Sequence, residues 1–265
     1  MSEHAAAIAP QPLGVEEDLA ARAGIPAWLR YLAMPVFLAG VCTWLYFYVT
    51  GQEQDSIEAR LLEGSYVREK LLEHVTLASS ATVLVILIAV PLGIVLTRPL
   101  FRRLTPVAIG IANIGQAIPG IGLVVFFPVV MAQVGFRPML YALVIHTALQ
   151  VLRNTMVGLD QVDRALIEAG RGMGMSKLRV LLRVELPLAV PVILAGVRTA
   201  LILNVGVATL GTFINAGTLG DLIDSGVGLN REPVIIAGGV LTAVLALATD
   251  WVAGIAERIL RPKGL

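Results

Sequence analysis

Few residues in this chain have the types and spacing that chemistry requires. The glycines and lysine of Gly172 to Lys177 are residue types that cradle phosphate, but the run lacks a Gly-Lys-Ser/Thr ending and follows no predicted strand. The sequence offers no His and Cys cluster at metal-ligand spacing and no Ser/His/Asp set in its loops. We therefore predict a chain that is not an enzyme, with no catalytic residue, no metal site and no bound cofactor.

The remaining reactive groups are ionisable residues inside long apolar runs. Arg198 and Asp250 lie in two different runs at similar predicted depth, so an ion pair would lower the cost of both charges in lipid. The alternative is that Arg198 extends alone to the membrane interface. His146 lies in a third run, where hydrogen-bonded packing is the usual role and proton relay is the alternative.

Neutral polar side chains mark two of the apolar runs. Because uncompensated polar groups are costly in hydrocarbon, they are expected to face other helices or a cavity. Two roles stay open for each residue, hydrogen bonding between helices and lining of a pathway. These residues are Asn113, Gln116, Asn204, Thr209, Thr212 and Asn215.

Composition defines the elements that must position these side chains. The 265 residues are 57% hydrophobic and 15% charged, with a mean hydropathy of +0.81, which indicates a polytopic integral membrane protein. The net charge of +1, spread over the loops, argues against a nucleic-acid partner. Runs of about 20 apolar residues cross a bilayer as helices. The predicted fold is all-α, with about six spans at 28–50, 75–97, 106–134, 136–152, 188–213 and 234–255.

Lysine and arginine next to the predicted spans accumulate on one side. This bias predicts that both termini are cytoplasmic, with residues 1–27 as a tail and 153–187 as a long cytoplasmic loop. Pro119 and Gly120 interrupt the third span, and such breaks are tolerated only where protein or a water-filled cavity covers the backbone.

The loop of residues 153–187 has the pattern of two short amphipathic helices. We predict a first helix over Leu159 to Ala169 with Gly170 as its C-cap, and a second helix with Ser176 as its N-cap. Helices joined by a glycine hinge suit docking into a groove of a partner, and the alternative is a simple connection between spans. The apolar stripe of the second helix is Leu178, Leu181, Leu182 and Leu186.

The same loop resembles the EAA loop of ABC-importer permeases. That motif has Glu-Ala-Ala, three residues, Gly, nine residues, an aliphatic, one residue and Leu-Pro. The matching positions are Glu168, Ala169, Gly174, Val184, Leu186 and Pro187. Gly170 stands where the family usually has its second alanine. The longer run from Leu152 to Ile223, and ANIGQAIPG at Ala112 to Gly120, resemble permeases of the osmoprotectant uptake branch, so likeness begins near residue 75.

The resemblance implies a type I ABC-importer permease of the bacterial cytoplasmic (inner) membrane, importing glycine betaine, choline, carnitine or a related solute. It implies a second permease, either the same chain or a sister chain, and two ATPase subunits that bind the ATP and Mg. A separate periplasmic or lipid-anchored protein would deliver the solute. ATPase-coupling positions are Glu168, Ala169, Gly170, Gly174, Ser176, Val184, Leu186 and Pro187.

An ion-coupled secondary transporter that works without an ATPase is the alternative function. Such a protein needs ionisable groups that converge near the membrane midplane. The candidates in this sequence are His146, Arg198 and Asp250. Secondary transporters often contain internal repeats, and no repeat is evident in the sequence.

Overall fold

The computed structural model describes residues 27–260, with side chains from residue 31 onward. The chain divides into two compact units, 1–41 and 42–265. In the first unit the described residues belong to helix α1, Ala27–Thr50. The predicted tail of residues 1–27 lies, apart from Ala27, outside the described residues.

The second unit is built from helices, and the described residues contain no strand. The helices are α2 Ser56–Leu61, α3 Gly64–Leu96, α4 Thr105–Ala117, α5 Gly120–Met131, α6 Phe136–Asp160, α7 Arg164–Gly172, α8 Lys177–Val180, α9 Leu186–Ala208, α10 Gly220–Gly228 and α11 Glu232–Leu260. Short 3₁₀ turns cover Arg102–Leu104 and Thr209–Ile214, and a π-helical turn covers Leu181–Glu185.

Four helical segments among the described residues are long and apolar enough to cross a membrane, and a bent pair adds a fifth. The four are Tyr31–Thr50, Gly64–Leu96, Lys177–Ile214 and Glu232–Leu260. The remaining predicted span, 136–152, lies within α6, which has 25 residues but is less apolar. An all-α membrane fold is confirmed, and the count of six spans is approximately met.

The bent pair is α4 and α5, so the structure divides the predicted span 106–134 into two helices. The helix Gly120–Met131 turns by 99° from Arg102–Ala117. Pro119 disfavours helical backbone in the residue before it, and Ile118 is extended, with φ −68° and ψ 126°. The chain therefore turns by about a right angle within the predicted third span.

Helix α6 packs against α3 and α9, and also against α4 and α5. Its buried side chains include Met139, Leu143, Val151 and Leu152, which join the main core cluster with Leu77 of α3. A helix covered by protein on several sides does not need a fully apolar surface. This packing explains why α6 is less apolar than the other long helices.

Glycines allow the close approach of helices to α6. A Cβ built on Gly93 of α3 would lie 2.8 Å from Cγ2 of Thr155. A Cβ on Gly196 of α9 would lie 2.5 Å from Cβ of Asn154. Small residues at such contacts let backbones pack closely in membranes, where dispersion contacts replace the hydrophobic effect as the driving force.

This packing predicts a large difference between two glycine substitutions in α9. Gly196→Ala inserts a methyl group against Asn154 and is expected to destabilise the protein by about 1–3 kcal/mol. Gly206→Ala is the matched control, because among the described residues no atom of another element lies within 4 Å of its Cβ position. The temperature of thermal unfolding in detergent measures both variants. Equal losses in the two would contradict the close contact between α6 and α9.

The start of α3 differs from the sequence prediction. The predicted span began at residue 75, but α3 already begins at Gly64. The reason is a second core cluster, in which Tyr66 and Leu71 of α3 pack with Leu219 and Leu222. The early turns of α3 are therefore covered by protein near the end of the bundle that the charge bias places outside.

Helix α2 is fixed in this outer region by its N-cap. Oδ1 of Asp55 accepts the N–H groups of Ile57 and Glu58, each at 2.9 Å, and Oδ2 lies 2.6 Å from Nη2 of Arg231. The hydrogen bond from the Glu58 N–H lowers the pKa of Asp55 below its usual value, and the Ile57 N–H and the Arg231 charge act in the same direction. A short helix of six residues is thus joined to the turn before α11.

Candidate functional site

The long cytoplasmic loop folds into the helix α7 and a second helical stretch. Oδ1 of Asp163 caps α7 by accepting the Ala165 N–H at 2.8 Å, so this helix begins at Arg164. The prediction of a helix start at Leu159 is wrong, because residues as far as Asp160 continue α6. Glu168 and Ala169 are exposed on α7.

The hinge of the loop is Gly174, and the prediction that Gly170 is the C-cap is wrong. The Met175 N–H donates to Gly170 O at 3.1 Å, and the Gly174 N–H donates to Arg171 O at 2.9 Å. This pair of bonds is a Schellman motif, which needs a left-handed residue just after the helix. Gly174 supplies it with φ +80°.

Gly170 has a packing role inside α7. It is buried, and a Cβ at this position would lie 3.4 Å from Cγ2 of Val180 and 3.8 Å from Cγ2 of Val184. These are ordinary contact distances, so the alanine that the EAA motif usually carries would fit here. The small residue allows α7 to pack against the following helical stretch.

That stretch runs without interruption into the membrane helix α9. Ser176 caps α8 by accepting the Arg179 N–H at 3.4 Å, the π-helical turn Leu181–Glu185 follows, and α9 begins at Leu186. Pro187 occupies one of the first two positions of α9, directly after the π-helical turn.

The predicted apolar stripe is divided between two faces. Leu181 and Leu186 pack against the buried cluster of Leu159, Ala189 and Ile193. The other two leucines are exposed together with apolar residues of α7 and of the hinge. The exposed fractions are Leu166 48%, Met173 73%, Leu178 64% and Leu182 55%. Within this chain, the loop therefore presents apolar side chains that the bundle leaves uncovered.

An ion pair that the sequence analysis missed lies where this loop enters the membrane. Nη2 of Arg98 is 2.6 Å from Oε2 of Glu185, whose side chain is only 8% exposed. The available signal was an acidic residue in an otherwise basic stretch, together with an arginine just after another span. The sequence alone could not identify the two residues as partners, because 87 positions separate them.

Asn204 is the polar centre of the bundle. Its Nδ2 donates to Thr82 Oγ1 at 3.0 Å, and its Oδ1 accepts from Thr147 Oγ1 at 3.2 Å. The three residues belong to α9, α3 and α6, and the Asn204 side chain is fully buried. Of the two roles considered for Asn204, these bonds favour hydrogen bonding between helices.

The other neutral polar residues are more exposed than Asn204. Oδ1 of Asn113 accepts from Nη2 of Arg153 at 2.7 Å, and Thr209 donates to Gly206 O at 2.7 Å. Asn215 is exposed and left-handed, with φ +55°. Gln116 and Thr212 are half-buried.

Arg198 and Asp250 form a bidentate contact between α9 and α11. Nε of Arg198 lies 2.5 Å from Oδ1 of Asp250, and Nη2 lies 2.8 Å from Oδ2. A third group joins them, since Nη1 of Arg198 is 3.6 Å from Oε2 of Glu257. The Arg198 charge is thus balanced by carboxylates of α11.

This geometry predicts that Arg198→Ala and Asp250→Ala are not additive in stability. Each variant removes the same contact, so the double mutant is expected to be more stable than the sum by about 0.5 kcal/mol or more. Thermal unfolding in detergent measures the cycle. Arg198→Ala combined with Thr249→Ala is the control, because Thr249 bonds to Ala246 O of its own helix. Additivity in both cycles would contradict the pair.

Two histidines add further polar groups to the bundle. His74 is fully buried, its Nε2 lies 2.9 Å from Val205 O, and its Nδ1 accepts the Leu219 N–H at 3.3 Å. It therefore joins α3 to α9 and to the turn before α10. Nδ1 of His146 is buried, and within the described residues it has no hydrogen-bond partner. The described residues contain no group of acidic, His or Cys side chains that could hold a metal ion.

The fold has known structural counterparts. The chain aligns with a chain of the MetNI methionine ABC transporter in an inward-facing form, at TM-score 0.68 and 23% identity, covering 79% of this chain and 100% of that chain. A crystal structure of an amino acid ABC transporter with histidines aligns at TM-score 0.65 and 17% identity, covering 78% and 100%. The protein therefore shares its fold with chains of these two ABC transporters.

The family follows from sequence. Residues 89–262 match the family described as binding-protein-dependent transport system inner membrane component, and the chain belongs to it. It is a multi-pass protein of the inner membrane.

Three relatives are permease proteins whose names refer to choline, carnitine or osmoprotectant transport. The chain is 42% identical to the choline transport system permease protein OpuBB of Bacillus subtilis, over 76% of this chain and 92% of the relative. It is 40% identical to the carnitine transport permease protein OpuCD of Listeria monocytogenes, over 75% and 88%. It is 35% identical to the osmoprotectant import permease protein OsmW of Salmonella typhimurium, over 80% and 99%. The resemblance to osmoprotectant permeases is confirmed.

Proposed function

We propose that this chain forms the membrane pathway of an ATP-driven importer for a quaternary-ammonium compatible solute such as glycine betaine, choline or carnitine. The observation that carries the proposal is the cytoplasmic loop, whose exposed Leu178 and Leu182 lie on a helical stretch continuous with α9. A partner that moves this stretch moves a membrane helix directly. The substrate class follows the names of the relatives, which transport choline, carnitine and glycine betaine.

The energy is proposed to come from two ATPase subunits, which bind ATP and Mg and receive the loop in a groove. The chain itself then hydrolyses no nucleotide. Residues 28–265 form the permease domain, with 153–187 as its coupling loop. Glu168, Ala169 and Ser176 are exposed in the helices and hinge of this loop, while Gly170 and Val184 contribute packing within it. Leu186 and Pro187 join it to α9, and Gly174 is its hinge.

A second permease is proposed to complete the pathway. Bacillus subtilis has two choline transport system permease proteins among the relatives, OpuBB and OpuBD, which favours a sister chain, while a second copy of the same chain is the other arrangement. A separate binding protein delivers the solute from outside. The more open polar residues are proposed to line the pathway in the complex: Asn113, Gln116, Thr209, Thr212 and Asn215.

Affinity purification from native membranes tests the proposal. A tagged chain is expected to retain an ATPase subunit, and the purified complex in proteoliposomes, supplied with its binding protein, is expected to import radiolabelled glycine betaine, choline or carnitine only with ATP. An ion-coupled secondary transporter would instead lose uptake with an ionophore and ignore ATP. Absence of the ATPase together with ionophore-sensitive uptake would replace the importer by that alternative.

A further inference from the structure

Arg98 and Glu185 join two elements that are distant in the sequence. Nη2 of Arg98 lies 2.6 Å from Oε2 of Glu185, and Nη1 lies 3.3 Å from Oε1. A guanidinium and a carboxylate that meet through two parallel bonds fix each other's orientation as well as their separation. The contact therefore resists rotation of either group.

The arginine is held in place at the end of α3. Its Nε donates to Ile94 O at 3.2 Å, and its Nη2 also lies 3.3 Å from Thr97 Oγ1. These bonds position the guanidinium against the last turn of α3, where the positive charge also complements the free carbonyl groups. Arg98 consequently moves together with the end of α3.

The carboxylate belongs to the cytoplasmic loop. Glu185 is the last residue of the π-helical turn, and its side chain is 8% exposed. Single π turns inside helices are frequent at functional sites, because the extra residue redirects the side chains around it. A carboxylate with so little exposure needs a charged partner, and Arg98 supplies it.

The two membrane helices next to this contact differ in how the loop reaches them. Helix α9 continues directly from the π-helical turn, whereas the chain leads from the end of α3 to the loop only through α4, α5 and α6. At its other end α3 contacts the region of α10, through His74 with the Leu219 N–H at 3.3 Å and through Lys70 with Asp221 at 3.1 Å. A displacement of α3 would therefore also move its contacts with the region of α10, at the end of the bundle that the charge bias places outside.

We propose that the Arg98–Glu185 pair is a second link of the coupling loop, which passes its movement to α3 while the covalent link passes it to α9. The inference rests on the proposed coupling to an ATPase. Both residues act by positioning, since they hold two helices together and touch no nucleotide. The expected consequence is that loss of the pair separates ATP hydrolysis from solute movement.

Uptake per ATP hydrolysed, measured with the purified complex in proteoliposomes, tests the link. Glu185→Gln keeps the size of the side chain and removes its charge, whereas Arg98→Gln removes the charge and also shortens the side chain. Each is expected to lower uptake of radiolabelled glycine betaine, choline or carnitine per ATP by about fivefold or more. The reversed pair, Arg98→Glu with Glu185→Arg, is expected to recover part of that ratio. Arg102→Gln is the control, because Arg102 is exposed nearby and is expected to retain the full ratio.

The outcomes separate this inference from the proposed function. A wild-type complex that fails to import with ATP would refute the proposed function itself. If the wild type imports and both single variants keep its uptake per ATP, the link is refuted. Copurification of the ATPase measures whether each variant assembles into the complex. If the single variants do not assemble, the test of the link is the reversed pair. Recovery of uptake per ATP in the reversed pair supports the link, and no recovery contradicts it.

Discussion

Gly174→Asp is expected to reduce ATP-driven uptake at least about tenfold while ATP hydrolysis continues, because it changes the hinge on which the coupling loop turns. Gly174 has φ +80°, and its N–H closes the Schellman motif with Arg171 O at 2.9 Å. A side chain has space there, since among the described residues nothing lies within 4 Å of its Cβ position. The cost therefore arises from the left-handed backbone and from a new negative charge at the proposed docking surface.

Two control variants separate these causes. Gly174→Asn has a similar tolerance for left-handed backbone but adds no charge, so it is expected to retain more uptake. Gly172→Asp adds the same charge in the last turn of α7, where its Cβ also meets no atom within 4 Å. Uptake and ATPase activity of the reconstituted complex measure all three variants. Full uptake by Gly174→Asp would contradict the role of this hinge.

Asn204→Asp is expected to destabilise the protein by about 3 kcal/mol, the cost of an acidic side chain at the centre of a membrane helix. The amide Nδ2 now donates to Thr82 Oγ1 at 3.0 Å, and a carboxylate has no hydrogen to replace this bond. The side chain is fully buried, so water does not reach the new charge in this arrangement. The effect on thermal unfolding is expected to exceed those of the glycine variants.

Asn215→Asp is the matched control, because the same change is made at an exposed residue. Aspartate also accepts the left-handed backbone of Asn215, φ +55°, so little loss is expected. The comparison also distinguishes the two roles considered for Asn204. If Asn204 lined a water-filled pathway, water would solvate the carboxylate and both variants would unfold at similar temperatures.

The sequence was most informative where the signal is local. Apolar runs of spanning length, the distribution of arginine and lysine, and the spacing from Glu168 to Pro187 depend only on residues close together in the chain. Ser176 as an N-cap belongs to the same class, because its hydroxyl bonds within its own turn. These signals led to the membrane class, the all-α fold and the family.

Local reasoning was less accurate where two local signals competed. Gly170 and Gly174 both have the residue type of a C-cap, and the hydrogen bonds of Met175 and Gly174 select the second. The start of α3 at Gly64 depends on packing against Leu219 and Leu222, which are distant in the sequence.

By itself, the sequence determined a helical inner-membrane permease with a charged, glycine-hinged cytoplasmic loop. Only the tertiary structure decided which polar groups meet. Asn204 forms hydrogen bonds with Thr82 and Thr147, which are 122 and 57 positions away in the sequence. Glu185 pairs with Arg98, which is 87 positions away. The physical reason is that a buried polar group must be satisfied by a partner, but the identity of the partner depends on which helices pack side by side. That packing is set by contacts such as Gly196 against Asn154, which no local pattern specifies.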